Sequence, residues 1–224
     1  MMGTKKDMRS GGPKTKGFLI VLSGPSGAGK NSVMNAVFPT IPNLRYSVSV
    51  TTRPPRAGEV HAVDYFFCSE EEFDQMLQDD LLLESATFVG YRYGTPKQFV
   101  LEQIEAGNAV IMDIDIQGAA QIRSKMPEAV LVFLLPPTPE ELSKRLRLRG
   151  SDSEEVIRRR LAKSRDEVKH IVDYDYFIVN DDLNRAAEQL RQIILSEWCR
   201  VCRIDLEHLQ ELWKGGSDLE ATES

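Results

Sequence analysis

The run Gly24-Pro25-Ser26-Gly27-Ala28-Gly29-Lys30 constrains this chain more than any other stretch. It follows the short apolar segment Phe18 to Leu22 and precedes a helical pattern, so it reads as a buried strand turning through glycines into a helix. In that setting GxxxxGK is a phosphate cradle, a P-loop. Glycines let successive backbone N–H groups turn inward around phosphate oxygens. The helix behind them adds its positive end, and Lys30 neutralises charge on the β- and γ-phosphates. The residue after the lysine is normally Ser or Thr, whose hydroxyl ligates Mg²⁺. Here it is Asn31, followed by Ser32. Three readings stay open: Asn31 holds Mg²⁺ directly or through water, Ser32 partly substitutes, or the site is weakened.

Further short apolar segments lie at Tyr46 to Val50, Val110 to Ile114, Val130 to Leu135 and Tyr176 to Val179. Helical patterns at Lys97 to Ala106, Gly118 to Lys125 and Glu140 to Arg147 fall between several of them. Strands alternating with helices predict an α/β fold, a P-loop-type parallel sheet flanked by helices. Two stretches break the rhythm. Residues 49–95 hold too much structure for one crossover and read as an inserted small α+β domain. Residues 148–170 open with RGSDSEEV, where Ser151 and Glu154 fit a capping box, and continue as an arginine-rich helix, the pattern of a mobile lid. The core then comprises 17–48, 96–147 and 171–214. Residues 1–16 and 215–224 read as disordered tails.

Composition closes off other classes. The length of 224 residues is enough for one sizeable core without covalent staples. A net charge of −6 argues against a general nucleic-acid coat. No apolar run approaches the ~20 residues that span a bilayer, and the basic N-terminus lacks a secretory apolar stretch. Three cysteines, an odd count, suit a reducing cytoplasm. Cys199 and Cys202 have CxxC spacing, but they lie in a helical pattern (Leu190, Ile193, Ile194, Trp198, Val201) and no second pair exists.

Arg53-Pro54-Pro55-Arg56 sets two guanidinium groups on a proline-braced loop, and their planar forks suit a phosphate monoester. Tyr65 and Tyr93 are phenols able to complete such a pocket. In order along the chain, GPSGAGK, TTRPPRAGEV, DYFF, LLLESATFVGYRYGT, IMDIDIQGA, RGSDSEE and FIVNDD closely resemble the guanylate kinase family, over about Phe18 to Trp198. The motifs are specific as an ordered set rather than singly.

The resemblance implies ATP as co-substrate, Mg²⁺ as cofactor and GMP as acceptor, with dGMP as a possible second acceptor. It implies a set of roles. Gly24, Pro25, Ser26, Gly27, Ala28, Gly29, Lys30, Asn31 and Ser32 take the ATP phosphates. Arg145, Asn180 and Asp181 fall where the family meets the adenine side. Arg53, Arg56, Tyr65 and Tyr93 grip the GMP phosphate, and Glu59 supports their loop. Ser49, Glu84, Thr95 and Asp115 read guanine. Asp113, with Asn31, stands near the Mg²⁺ and its water shell. Lys30, Arg56, Arg149 and Arg160 are the catalytic cations, Arg149 and Arg160 being lid arginines.

The guanine assignment makes chemical sense. Guanine's Watson–Crick edge presents two donors beside one acceptor, so carboxylates at Glu84 and Asp115 can accept while Ser49 or Thr95 donates. Adenine would set a bare nitrogen acceptor against a buried carboxylate. Two rivals remain: a guanylate kinase-like binding module, favoured by Asn31, and a kinase of another acceptor such as a ribose bisphosphate. Self-association is not readable.

Overall fold

The computed structural model describes residues 14–88, 90–148 and 153–214. The chain opens with β1 (Phe18–Ser23), buried along its whole length. Phe18, Ile20 and Leu22 enter one hydrophobic cluster, and Leu19 and Val21 enter another. A strand covered on both faces needs an unbroken apolar run, which is why β1 shows no polar alternation. There follow α1 (Lys30–Val37), β2 (Leu44–Tyr46), β3 (Val50–Thr51), β4 (Phe66–Phe67), α2 (Glu70–Gln78), β5 (Leu82–Phe88), β6 (Tyr91–Pro96), α3 (Lys97–Glu105), β7 (Ala109–Asp113), α4 (Ile116–Lys125), β8 (Val130–Leu135), α5 (Pro139–Leu148), α6 (Glu154–Lys169), β9 (Tyr176–Val179), α7 (Leu183–Trp198) and α8 (Leu206–Lys214).

Five strands form a parallel sheet in the order β2-β7-β1-β8-β9. One face packs against α1 and α7 through Val33, Met34, Val37, Leu190, Ile194 and Trp198. The other packs against α3 and α4 through Val100, Ala119 and Ile122. The α/β expectation is met. β1 lies between β7 and β8, so its C-terminal end opens at the edge of the sheet where ligands of such folds bind.

The second sheet, β4-β3-β6-β5, is antiparallel apart from the β3–β4 pair. It encloses a small core of Val50, Phe73 and Leu82. Phe73 comes from α2, whose start is fixed by a reciprocal cap between Ser69 and Glu72. A fourth cluster, Leu142, Leu146 and Ile157, fastens α6 to α5.

Four local expectations need correction. Tyr46 to Val50 is not one strand: Tyr46 ends β2 in the parallel sheet, and Val50 begins β3 in the other. The Ser47 N–H still donates to Ile111, whereas the Ser49 carbonyl already accepts from Phe66, so the chain changes sheets between them. Helix α6 is capped by Ser153, whose hydroxyl accepts from Val156 N–H. Glu154 is thus its first residue, not its third, and pairs with Arg147; Ser151 lies outside the described residues. Helix α7 stops at Trp198, leaving Cys199 and Cys202 exposed beyond it as free thiols. Residues 14–16 are pinned rather than part of a tail: Thr15 bridges Ile204, and Lys16 N–H donates to Arg203 at 2.7 Å. The remainder of both expected tails, 1–13 and 215–224, lies outside the described residues.

Candidate active site

One continuous cavity of about 540 Å³ runs from the glycine loop after β1 to the face of the second sheet. Gly24, Ser26, Gly27, Gly29, Lys30, Asn31 and Ser32 line its first end. The loop's shape depends on two glycines. Gly24 and Gly29 hold φ of +141° and +97°, and a Cβ would lie 2.1 Å from the Leu134 carbonyl or 2.3 Å from Asn180 Nδ2. No other residue fits such positions. Pro25 and Ala28 are both buried, and neither side chain lines the cavity.

Lys30 folds over its own loop, donating to the Gly24 carbonyl at 2.8 Å. Its ammonium stands 3.6 Å from Asp113, the last residue of β7. Burial pushes the Asp113 carboxyl up from its ordinary value, with Lys30 opposing. Asn31 and Ser32 are exposed on the first turn of α1. The oxygen donors gathered here, Asp113, Asn31 and Ser32, suit a hard divalent cation.

Arg145 and Asn180 brace the loop from behind and do not line the cavity. Asn180 Nδ2 donates to the Ala28 carbonyl at 2.7 Å, and Arg145 Nη2 donates to the Asn180 carbonyl at 2.8 Å. Asp181 lies outside the cavity wall, ion-paired with Arg185, which holds its carboxyl down at about 2.

At the second end the arginine loop is organised by one carboxylate. Glu59 Oε1 accepts from Arg53 at 2.8 Å, and Glu59 Oε2 accepts from the Arg56 backbone N–H at 2.8 Å. Arg53 holds the Glu59 carboxyl below its usual range, with the Arg56 bond adding to this. The Arg53 guanidinium is buried 5.2 Å from the Tyr65 ring centre, and Tyr65 meets Tyr93 at 5.9 Å. Arg56 remains exposed in the cavity.

Deeper in lie Ser49, Glu84 and Asp115. Glu84 is only 3% exposed, and its Oε1 accepts from Thr95 Oγ1 at 2.7 Å. Desolvation pushes its carboxyl up to about 7, with the Thr95 bond opposing and Asp115 adding to the rise. Thr95 itself is buried behind Glu84 and off the cavity wall, so its hydroxyl orients the acid. Asp115 caps α4, accepting from Gln117 and Gly118 N–H through Oδ1. A buried carboxylate beside a helix-capping one makes a patch that accepts hydrogen bonds from a flat donor edge.

Helix α6 closes one side. Arg160 lines the cavity and donates to Ser26 Oγ at 3.2 Å. Arg149 lies outside the described residues. The cavity thus gathers the predicted phosphate-loop, arginine-loop, base-side and α6 residues, and leaves Pro25, Ala28, Thr95, Arg145, Asn180 and Asp181 off its wall.

Sequence reasoning missed four residues. Lys163 and Glu167 line the cavity from the same helix face as Arg160, a three- and seven-residue spacing that was open to reading. Tyr46 lines it from the end of β2. Gly118, in α4, lets Glu84 approach: a Cβ there would sit 2.7 Å from Glu84 Oε2.

The model of the guanylate kinase family matches residues 16–197. A guanylate kinase of Caldanaerobacter subterraneus is 49% identical over 190 residues, covering 85% of this chain and 92% of that one. A guanylate kinase of Desulfitobacterium hafniense is 50% identical over 188 residues, covering 84% and 94%. Among solved structures, guanylate kinase from Anaplasma phagocytophilum superposes with a TM-score of 0.73 at 32% identity, covering 92% of this chain and 97% of that one.

Proposed function

This chain belongs to the guanylate kinase family, and from that premise we propose how its residues divide the work of phosphorylating GMP. The enzyme moves the γ-phosphoryl group of ATP to GMP, giving ADP and GDP. The observation that carries the division of labour is the single cavity joining a phosphate loop to an arginine loop and a paired-acid patch.

ATP lies with its phosphates in the backbone N–H cradle of residues 24–30, with Lys30 on the β- and γ-oxygens. To do so Lys30 exchanges the Gly24 carbonyl for phosphate. GMP lies across the second sheet. Arg53 and Arg56 take its phosphate, with Tyr65 and Tyr93 beside them, and Glu59 keeps the two guanidinium groups in register. Glu84 and Asp115 accept from guanine N1–H and the exocyclic amine, while Ser49 donates to O6. Arg145, Asn180 and Asp181 serve the adenine side, the first two by shaping the loop.

Phosphoryl transfer demands alignment and charge neutralisation more than covalent chemistry. A phosphate oxygen of GMP attacks the γ-phosphorus in line, the β–γ bridging bond breaks, and its electrons leave with ADP. Arg160, together with Arg149, supports the equatorial oxygens when α6 and the residues before it close as a lid over the insertion at 49–95. Mg²⁺ bound with ATP would neutralise β- and γ-oxygens beside Asp113 and Asn31. No protein nucleophile is needed.

Nothing in the base-reading set polices the ribose 2′-hydroxyl, so dGMP is a second acceptor. IMP, lacking the exocyclic amine, is a poor one. No helix among the described residues is long and apolar enough to cross a membrane, and we read the enzyme as cytoplasmic. Asn31 favours one rival, a catalytically weak binding module.

The test is isotopic. With γ-labelled ATP and GMP, label should appear in the β-position of GDP and never on the protein. Labelled protein that chases into GDP would contradict direct transfer.

A further inference from the structure

Helix α6 presents a second cation to the cavity besides Arg160. Lys163 lies three residues on, nearly one turn, and lines the same wall. Its ammonium stands 3.5 Å from Glu167 Oε1, and the Glu167 side chain is only 9% exposed.

This pair is poorly suited to a purely structural task. In a helix, an acid four residues before a lysine is the better order, and here the lysine comes first. Surface pairs of that spacing stabilise a helix weakly when both groups are solvated. Here one partner is buried against the cavity, and desolvation raises its carboxyl above the usual range despite Lys163. A buried acid in a cavity built for phosphates repels its ligands unless a cation stands between. Lys163 is that cation, half-exposed at the cavity wall, on the helix that already reaches the phosphate loop through Arg160 and Ser26.

We infer that Lys163 is a further phosphate-binding residue of this enzyme, touching the phosphate chain where donor and acceptor meet, with Glu167 as the positioning residue that aims it. The inference rests on the proposed reading in which α6 carries Arg160 onto the transferred group. Glu167 holds the ammonium at the wall. When both nucleotides are bound, the ammonium swings from the carboxylate toward phosphate oxygens, while Glu167 keeps it from returning to solvent. A compact ammonium with three rotatable donors suits a group that moves during transfer. No proton need change hands.

The test uses the full chain and two ligands. One is GMP alone; the other is a bisubstrate in which adenosine and guanosine are joined through five phosphates. Lys163→Met should weaken bisubstrate binding and lower kcat by about 10- to 100-fold, the range for one lost hydrogen bond to a charged group. It should leave GMP binding and the melting temperature nearly unchanged. Lys163→Arg should restore part of both losses. Glu167→Gln should raise the KM for ATP with a smaller change in kcat, because it loosens the aim without removing the charge. Lys169→Met, on the same helix but in an exposed pair with Asp166, is the control and should change nothing. Bisubstrate affinity within twofold of wild type in Lys163→Met overturns the inference. So does a fall in melting temperature with kcat intact, which would make the pair structural. Absence of GMP-dependent turnover in the wild type would instead refute the kinase reading, and the binding arm would still decide the role of Lys163.

Discussion

Replacing Glu84 with glutamine should stabilise the ligand-free protein and at the same time strip it of base selection. The acid is 3% exposed and its carboxyl is pushed from 4.5 up to about 7 by loss of solvent. A rise of that size corresponds to about 3 kcal/mol of preference for the neutral form. The sign follows from the direction. Because the folded state raises the pKa, the penalty for burying the ionised group is absent below about 4.5, grows between 4.5 and 7, and is complete above about 7. Glutamine keeps the oxygen that accepts from Thr95 and carries no charge. The variant should therefore match wild type in urea denaturation near pH 4.5 and exceed it by up to about 3 kcal/mol at pH 8.5. Comparing the two proteins at each pH cancels the titration of every group they share. Binding should move the other way. An amide cannot accept from both guanine donors as a carboxylate does, so GMP affinity at pH 8 should fall by at least about tenfold. A stability gap that stays flat with pH, or a less stable variant at pH 8.5, would refute the buried-carboxylate argument. An unaltered preference for GMP over AMP would refute the base assignment.

Three further outcomes follow from the same geometry. Arg56→Ala should collapse turnover with only a modest loss of GMP binding, since Arg53 and Glu59 remain paired beneath it; unchanged kcat removes Arg56 from the mechanism. Gly118→Ala puts a Cβ 2.7 Å from Glu84 Oε2, so the KM for GMP should rise about tenfold. Thermal stability should hold, because alanine favours the helix by about 1 kcal/mol. An unchanged KM would mean that the acid does not need its present position. Asn31→Ser should keep or raise the rate and lower the Mg²⁺ concentration that half-saturates it, and a loss of rate would give the asparagine a job of its own.

The parallel core was legible because burial on both faces forces unbroken apolar runs, and β1, β7 and β8 stand close to where those runs lie. Where the code is short, it misled. The alternation of Tyr46, Val48 and Val50 looks like one strand, yet three residues suffice to carry the chain from one sheet to the other. Local capping was ambiguous too, since Ser151 and Ser153 both precede the acid run, and the Ser153 hydroxyl accepting from Val156 N–H shows where α6 begins. In the site, residues held by the loop motif were readable from chemistry alone. The base-side acids were not. Glu84 becomes special through Thr95 and Gly118, which are 11 and 34 positions away along the sequence and meet it only when the sheet and α4 assemble. Lys163 and Glu167 were within reach, since they repeat the helical spacing of Arg160.

The most direct test of the account is ADP release by the purified protein with Mg²⁺-ATP, comparing GMP, dGMP, AMP, UMP and IMP side by side. Rapid turnover with GMP, slower turnover with dGMP and little with the rest is the predicted result. It would also show that Asn31 is compatible with Mg²⁺-dependent transfer. GMP that binds without releasing ADP would contradict the account and favour a binding module, with Asn31 as the first residue to revert.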